Sequence, residues 1–421
     1  MRYDVEIKPS TLRGSLQAPP SKSMLHRAIF CAALSKGKSV IRNFATSKDI
    51  EATLNIAKAL GANIKIKGSQ LTIEGSQGLT SPSYPIDIHE SATTLRLAIP
   101  LFFLLGKTTR FTASDSLIKR PLTTYETLFP NTITFEQNTI TIKHSLQPQK
   151  YKLKNPSSSQ FISGLLLALP LLENDSTIIV KNPPSKNYIS LTIDILKQFN
   201  IDITLIKNGY HIPGRQTYKS TDITIDGDYS QAAFFLTAGL LHTSVTLTGL
   251  PDNHLHADQK FIDIVLASKG NIKKQGNRIT ARKSVLSKQV ISIDESPDLG
   301  PILALLLSYA KGRSKLIEAK RLKFKESNRL ETTKAALNAI GADITVKNNT
   351  LIIHPISKLL GDKHISSMND HRIAMTLAIA ATTALRPIRI IDAHVVEKSY
   401  PSFFEDLKTL GADLKIIKRS E

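Results

Sequence analysis

Cations, hydroxyls and carboxylates recur in this chain immediately ahead of apolar runs. The segments are PPSKSMLHR around Lys22, HESATTLR around Ala92, NPSSSQF around Ser159, DGDYSQAA around Tyr229, SPDLGP around Asp298 and NDHR around His371. A helix that starts at such a place turns free N–H groups and the positive end of its dipole outward, which favours phosphate and carboxylate. A second set opens other helices with charged or hydroxyl residues: RPLTT near Arg120, SKNY near Ser185, KESNR near Lys325 and EKSYP near Lys398. Each motif alone also fits ordinary capping, with lysine or arginine as a solvated neighbour. Basic motifs recurring in matching positions favour an anion site, and two such faces across a hinge would line a cleft with anion binders.

The elements that must position these motifs follow one repeat. ALGANIKIKGSQLTI, LFPNTITFEQNTITI, QFNIDITLIKNGYHI, ASKGNIKKQGNRITA, AIGADITVKNNTLII and TLGADLKIIK each read as a helix end, a strand, a polar turn and, except in the last, a second strand. Anchored on Gly61, Asn131, Asn200, Gly270, Gly341 and Gly411, they are spaced by 70, 69, 70, 71 and 70 residues. An amphipathic helix precedes each anchor, ending where glycine or asparagine terminates it. Further upstream lies a helix apolar on most faces, hence buried. Lys22, Ala92, Ser159, Tyr229, Asp298 and His371 all open that buried helix, 39 to 43 residues before their anchors. The spacing predicts an α/β chain of two similar domains, each built from three βαβαββ-type units around a bundle of buried helices. The sixth copy lacks its last strand and the first is preceded by a spare one, YDVEIKPS. One domain is therefore expected over 1–19 plus 227–421, the other over 20–226, with the active site in the cleft between them.

Charge and composition narrow the function. Lys+Arg 55 against Asp+Glu 35 gives +20, and 41% hydrophobic residues describe a folded chain longer than one core usually serves. The lysines are spread without a basic tail, there is no Trp and no aromatic RNA-binding signature, so nucleic acid is not the expected partner. The single Cys31 closes no intramolecular disulfide, the start MRYDVEIKPS lacks an apolar leader, and no apolar run reaches a membrane span. A cytoplasmic monomer is expected, with no membrane partner.

At SKSMLHRA, SSQF, SKNY, KESNRL, NDHRIAM and EKSYPSFF the chain resembles the 5-enolpyruvylshikimate-3-phosphate synthase family, over nearly its whole length. The resemblance implies two domains of three repeated units closing over substrate. It also implies transfer of the enolpyruvyl group of phosphoenolpyruvate to the 5-hydroxyl of shikimate 3-phosphate, through a tetrahedral intermediate, with release of phosphate and with no metal or organic cofactor. By the same resemblance Lys22 contacts both substrates, while Ser23, Arg27, Ser158, Ser159, Gln160, Ser185, Tyr188, Asp298 and Lys325 hold shikimate 3-phosphate. Ala92, Thr93, Arg120, Gln160, Arg329, His371, Arg372 and Lys398 surround phosphoenolpyruvate, arginine's planar fork suiting its oxygens. Lys22, Asp298 and Glu326 are the catalytic set, Asp298 placed to take the 5-hydroxyl proton and Glu326 to serve the methylene carbon. Which carboxylate is acid in each half-reaction stays open.

HESATTLR departs from the family pattern. Ala92 stands where glycine is common, Glu90 where asparagine is, and Leu97 where proline is, while Thr93 and Arg96 fit. A methyl at Ala92 is expected to crowd the pocket where the inhibitor glyphosate binds in the family. Arg321 replaces a shikimate-binding asparagine of some members and is given no role. The related UDP-N-acetylglucosamine enolpyruvyl transferases share architecture and donor. They carry Lys-Asn at the first motif and a reactive loop cysteine, whereas Cys31 sits in an apolar helix. An RNA-modifying relative on this fold leaves KESNR, NDHR and EKSYP unexplained. GKS at Gly37 and GKT at Gly106 lack the earlier glycine of a P-loop. His254, His256 and Asp258 read as loop and cap residues rather than metal ligands.

Overall fold

The computed structural model describes residues 2–76, 78–252 and 256–419. Contacts divide the chain into two compact units, Pro20–Asp226 and Met1–Pro19 with Gly227–Glu421. Each holds three four-stranded sheets.

Within Pro20–Asp226 the chain forms α1 (Lys22–Leu34), α2 (Lys48–Ala59), α3 (Ala92–Phe103), α4 (Asp115–Ile118), α5 (Thr123–Leu128), α6 (Gln160–Ala168) and α7 (Lys186–Gln198). The helices α1, α3 and α6 are buried almost end to end, as their all-round apolar sequences require. By contrast α2 and α7 bury one stripe, Ile50, Leu54 and Ala57 in one case and Ile189, Thr192 and Leu196 in the other. Each sheet follows one plan: a leading strand runs parallel to the strand after the buried helix, which is the crossover such a pairing needs, and a hairpin adds two antiparallel strands. Lys150–Leu153, for example, lies parallel to Ser176–Val180 with Tyr151 opposite Ile178, and Gly209–Ile212 and Thr204–Ile206 follow. The first sheet takes its leading strand from far along the chain, Asp222–Thr224 beside Lys38–Arg42.

The second unit forms α8 (Tyr229–Leu241), α9 (Lys260–Ala267), α10 (Gly300–Ser308), α11 (Arg329–Ala339), α12 (His371–Thr383) and α13 (Phe403–Thr409). Here α8, α10 and α12 pack on one another as the buried bundle. Arg13–Gln17 leads the sheet containing Ser244–Thr248. Tyr3–Ile7 lies antiparallel between Ile388–Ile391 and Leu414–Lys418, so the N-terminal strand supplies what the sixth repeat lacks. The two domains of three βαβαββ units around buried helices are therefore present.

Five repeat anchors, Gly61, Asn131, Asn200, Gly341 and Gly411, hold left-handed backbone just past a helix, where glycine and asparagine are least strained. The fourth departs from expectation. Lys269 takes that turn with φ 62°, and Gly270 is small for space instead, since a Cβ there would come within 2.4 Å of Val265.

Candidate active site

In the unit Pro20–Asp226, capping and anion binding fall on neighbouring residues. Ser21 caps α1, its hydroxyl accepting from the Met24 N–H, and Ser91 caps α3 by accepting from Thr94. Lys22 and Ala92 follow as the first helical residues. Lys22 Nζ pairs with Asp49 from the first turn of α2. Arg27, one turn further along α1, is 2% exposed. Its guanidinium donates to Thr192 Oγ1 at 2.7 Å, to the Ser23 carbonyl at 2.7 Å and to the Tyr188 carbonyl at 3.2 Å. All three acceptors are neutral. Burial pulls its pKa down to about 10, which still leaves a cation at neutral pH. Burial, Lys22 and Arg27 together hold the neighbouring His26 well below its ordinary pKa, so it is neutral, with Nδ1 2.6 Å from Thr53 Oγ1.

The opening of α6 is organised around Gln160. Its Oε1 accepts from Arg96 Nη1 at 2.9 Å and its Nε2 donates to Thr93 Oγ1 at 2.7 Å, while Arg96 lies 4.9 Å above the Phe161 ring. Ser158 Oγ accepts from the Gln160 N–H at 3.2 Å. Ser159 occupies the cap position without a side-chain cap bond and is buried. Ser185, also buried, stands in left-handed backbone (φ 46°) before α7. Arg120 ends the segment after α4, its N–H donating to the Leu117 carbonyl at 2.9 Å. Glu90 accepts from Ser116 Oγ at 3.1 Å, which gives that acidic departure a local partner.

In the second unit a dense charge network gathers at the openings of α10, α11 and α12. Asp298 sits on the 3-10 turn Pro297–Leu299, and its Oδ1 is 2.7 Å from Arg329 Nη1, 3.1 Å from Lys325 Nζ and 3.5 Å from Arg372 Nε. Arg329, 1% exposed, also donates through Nη2 to Glu326 at 2.5 Å and through Nε to Asp370 at 2.8 Å. Asp370 caps α12 by accepting from the Arg372 N–H at 2.9 Å, and accepts from Ser327 Oγ at 2.9 Å. Burial resists ionisation of Asp298, yet Arg372, Lys325 and Arg329 outweigh it and hold the carboxyl well below its ordinary range. Asp370 is likewise lowered, Arg329 overcoming its burial. Burial lowers Lys325 despite Asp298. His371 and Arg372 are the first residues of α12, and the buried Arg372 Nη1 has no hydrogen-bond partner among the described residues. Lys398 Nζ donates to Asn369, to its carbonyl at 2.9 Å and its Oδ1 at 3.0 Å.

Residues 7–407 match the family model described as EPSP synthase (3-phosphoshikimate 1-carboxyvinyltransferase). The chain belongs to the EPSP synthase family. It is 40% identical to a 3-phosphoshikimate 1-carboxyvinyltransferase of Clostridium perfringens strain 13, covering 98% of this chain and 99% of that protein. It is 39% identical to that of Clostridioides difficile strain 630, with 97% of each covered. An EPSP synthase structure from Acinetobacter baumannii superposes with a TM-score of 0.82 at 25% identity, covering 99% of this chain and 100% of the other. The enolpyruvyl transferase NikO of Streptomyces tendae shares the fold, with a TM-score of 0.80 at 17% identity, covering 100% of each chain.

Among the residues of the family pattern, Arg27, on the helix that Lys22 opens, is tied to the Ser23 and Tyr188 carbonyls, and Thr93 is joined to Gln160. The structure gathers Asp298, Lys325, Glu326, Arg329 and Arg372 in one cluster. Arg329, expected among four cations on phosphoenolpyruvate, has Nε, Nη1 and Nη2 engaged by carboxylates. Arg120 lies in a different unit from Arg329, Arg372 and Lys398. Asp49 and Asp370 were not anticipated as site residues. Asp370 had a signal, standing directly before His371 at a cap position. Asp49 had none beyond the acidic first turn common to helices. His254 lies outside the described residues, and among those described no group of three or more His, Cys, Asp or Glu could hold a metal ion. No described helix is long and apolar enough to cross a membrane. Cys31 is buried, its thiol pushed up by burial, as an inert core residue.

Proposed function

We propose that the chain transfers the carboxyvinyl group of phosphoenolpyruvate to the 5-hydroxyl of shikimate 3-phosphate and releases phosphate, using the clusters of both units on one pair of substrates. The observation that carries this reading is a single guanidinium joining two carboxylates: Arg329 reaches Asp298 at 2.7 Å and Glu326 at 2.5 Å. Addition followed by elimination needs one group to take the hydroxyl proton and another to serve the methylene carbon. Asp298, kept ionised by its cations, takes the proton as the 5-oxygen bonds to C2 of phosphoenolpyruvate. Glu326 serves C3, which gains a proton on addition and loses one as the carbon–oxygen bond to phosphate breaks. The proton source for C3 is left to the pair.

Binding follows charge. Lys22, Ser23, Arg27, Ser158, Ser159, Gln160, Ser185, Tyr188, Asp298 and Lys325 hold shikimate 3-phosphate. Arg27 is suited to it because a buried cation with neutral partners gains from an anion. Lys22, Ala92, Thr93, Arg120, Gln160, Arg329, His371, Arg372 and Lys398 hold phosphoenolpyruvate. Arg372 Nη1, without a hydrogen-bond partner among the described residues, supports an anion seat there. Substrate binding draws the two units together and excludes water from the intermediate. One chain supplies every residue named, so a monomer suffices, and a cytoplasmic place on the route to chorismate and aromatic amino acids fits.

The test is phosphate release from phosphoenolpyruvate by the purified protein, with shikimate 3-phosphate or UDP-N-acetylglucosamine as acceptor and Asp298→Ala as control. Release dependent on shikimate 3-phosphate and lost in the variant is expected. Release with the nucleotide sugar alone, or with neither, overturns the reading.

A further inference from the structure

Asp258 lies in the 3-10 turn Ala257–Gln259, and the sequence gives it only a loop or cap role. In the fold it is 2% exposed. Its Oδ2 accepts from the hydroxyl of Ser230 in the first turn of α8, which is also buried. The same turn is tied to the turn that carries Asp298: Ser296 Oγ donates to the Ala257 carbonyl at 2.9 Å. The buried Asp258 and the partly buried Asp298 thus share one end of the helix bundle, with Arg372 acting on both. Their surroundings are unequal. Asp298 has Lys325 and Arg329 in contact, and Asp258 accepts from the Ser230 hydroxyl while burial and the Asp298 charge both act to raise it.

We propose that Asp258 is a positioning residue for the carboxyvinyl transfer, a second, buried carboxyl whose charge sets how strongly Asp298 attracts the proton of the substrate hydroxyl. This rests on the role given to Asp298 above. Asp298 alone, held by three cations, is a weak base. A negative charge on Asp258 opposes those cations and strengthens it, and a proton on Asp258 removes that support. Burial, then Asp298 and Asp228, push Asp258 up to about 6, against Arg372 and the Ser230 hydroxyl, so the change falls near neutral pH. The groups acting on it are Asp228 at the cap of α8 and Ser230 in its first turn, Asp298 from its own turn and Arg372 from α12, while His256 and Lys260 flank its turn in the chain and Asp263 on α9 is exposed. Lys260 Nζ is engaged by the Ser292 carbonyl at 3.3 Å.

The test labels aspartate carboxyl carbons with 13C in the full chain and titrates them by NMR, Asp258 being the signal lost in Asp258→Asn. A midpoint near 6 is expected, falling in Asp298→Asn and rising in Ser230→Ala, which removes the hydroxyl that favours the ionised form. In phosphate-release assays the acid limb of kcat/KM, which reports the free enzyme, should follow that midpoint, move to higher pH in Ser230→Ala and vanish in Asp258→Asn. In Asp258→Asn kcat at neutral pH should also drop about tenfold, the effect of roughly one unit of pKa on a general base. A midpoint in the ordinary carboxylate range, or one unmoved by Asp298→Asn, overturns the pairing. An acid limb unchanged in folded Asp258→Asn overturns the positioning role. Ser230→Ala carries both arms should Asp258→Asn fail to fold. The NMR arm needs no turnover, so absence of the proposed reaction is distinguishable from absence of the coupling.

Discussion

Arg329 and Asp370 meet edge to edge, Nε to Oδ2 at 2.8 Å and Nη2 to Oδ1 at 3.1 Å, with both side chains buried. Asp370 also caps α12 through the Arg372 N–H, so one carboxylate orients a guanidinium and the start of the helix carrying another. Removing it leaves Nε of a buried guanidinium without its acceptor, while Asp298 and Glu326 still engage Nη1 and Nη2. Asp370→Ala is expected to lower the unfolding free energy by about 1.5–3 kcal/mol, read by urea denaturation, and to raise KM for phosphoenolpyruvate more than for shikimate 3-phosphate. Unchanged stability would deny the pair its structural role.

The fold was legible because hydrophobicity carries it: a period near 70 residues, buried helices apolar all round and amphipathic partners. The leading strands Asp222–Thr224 and Arg13–Gln17 were not, since they are short and pair with sequence far away. In the site, helix-opening motifs pointed to Lys22, Arg27, Asp298 and Arg329. Their counter-charges were hidden where chemistry coincides with ordinary helix grammar. Asp49 looks like any acid in a first turn, and it meets Lys22 only through packing of α1 on α2. Asp258 looks like any residue of a polar turn until α8 covers it.

Arg27 places function and stability in opposition. Its charge is buried against neutral oxygens, an arrangement that costs the ligand-free protein desolvation. Arg27→Met is expected to unfold at a temperature equal to or above wild type, while affinity for shikimate 3-phosphate falls by roughly 100-fold, the loss of a charge-assisted contact. Calorimetric binding and a thermal melt read both. A variant that loses stability but keeps affinity would show the arginine to be structural.

Asp4 fastens the N-terminal strand to the last sheet. It accepts from Arg389 at 2.7 Å and 3.0 Å, from Arg419 at 2.8 Å and from the Asp392 N–H at 3.0 Å. Burial works against its ionisation, but these donors hold its pKa below the ordinary value of 3.8. A depressed carboxyl stabilises above the unfolded pKa, and that contribution is lost as pH falls through the folded one. Wild type should therefore lose stability from about pH 4 downward. Asp4→Asn should lose less over that range while being weaker at neutral pH by about 1–3 kcal/mol, since both arginines are partly solvated. Hydrogen exchange at Tyr3–Ile7 against pH checks it: protection equal in both proteins would exclude the fastening.

Ala92 is the first residue of α3, buried beside the Ser91 cap. If phosphoenolpyruvate seats at this helix start, as proposed, its methyl narrows the space available to a longer anion such as glyphosate more than the space for the smaller substrate. One methyl in a shaped pocket discriminates by roughly 10- to 200-fold. Ala92→Gly is expected to increase glyphosate inhibition within that range and to change KM for phosphoenolpyruvate less, at a helix cost of at most about 1 kcal/mol. Inhibition of phosphate release by glyphosate in the two proteins decides it, and equal inhibition would mean that the methyl points away from the inhibitor.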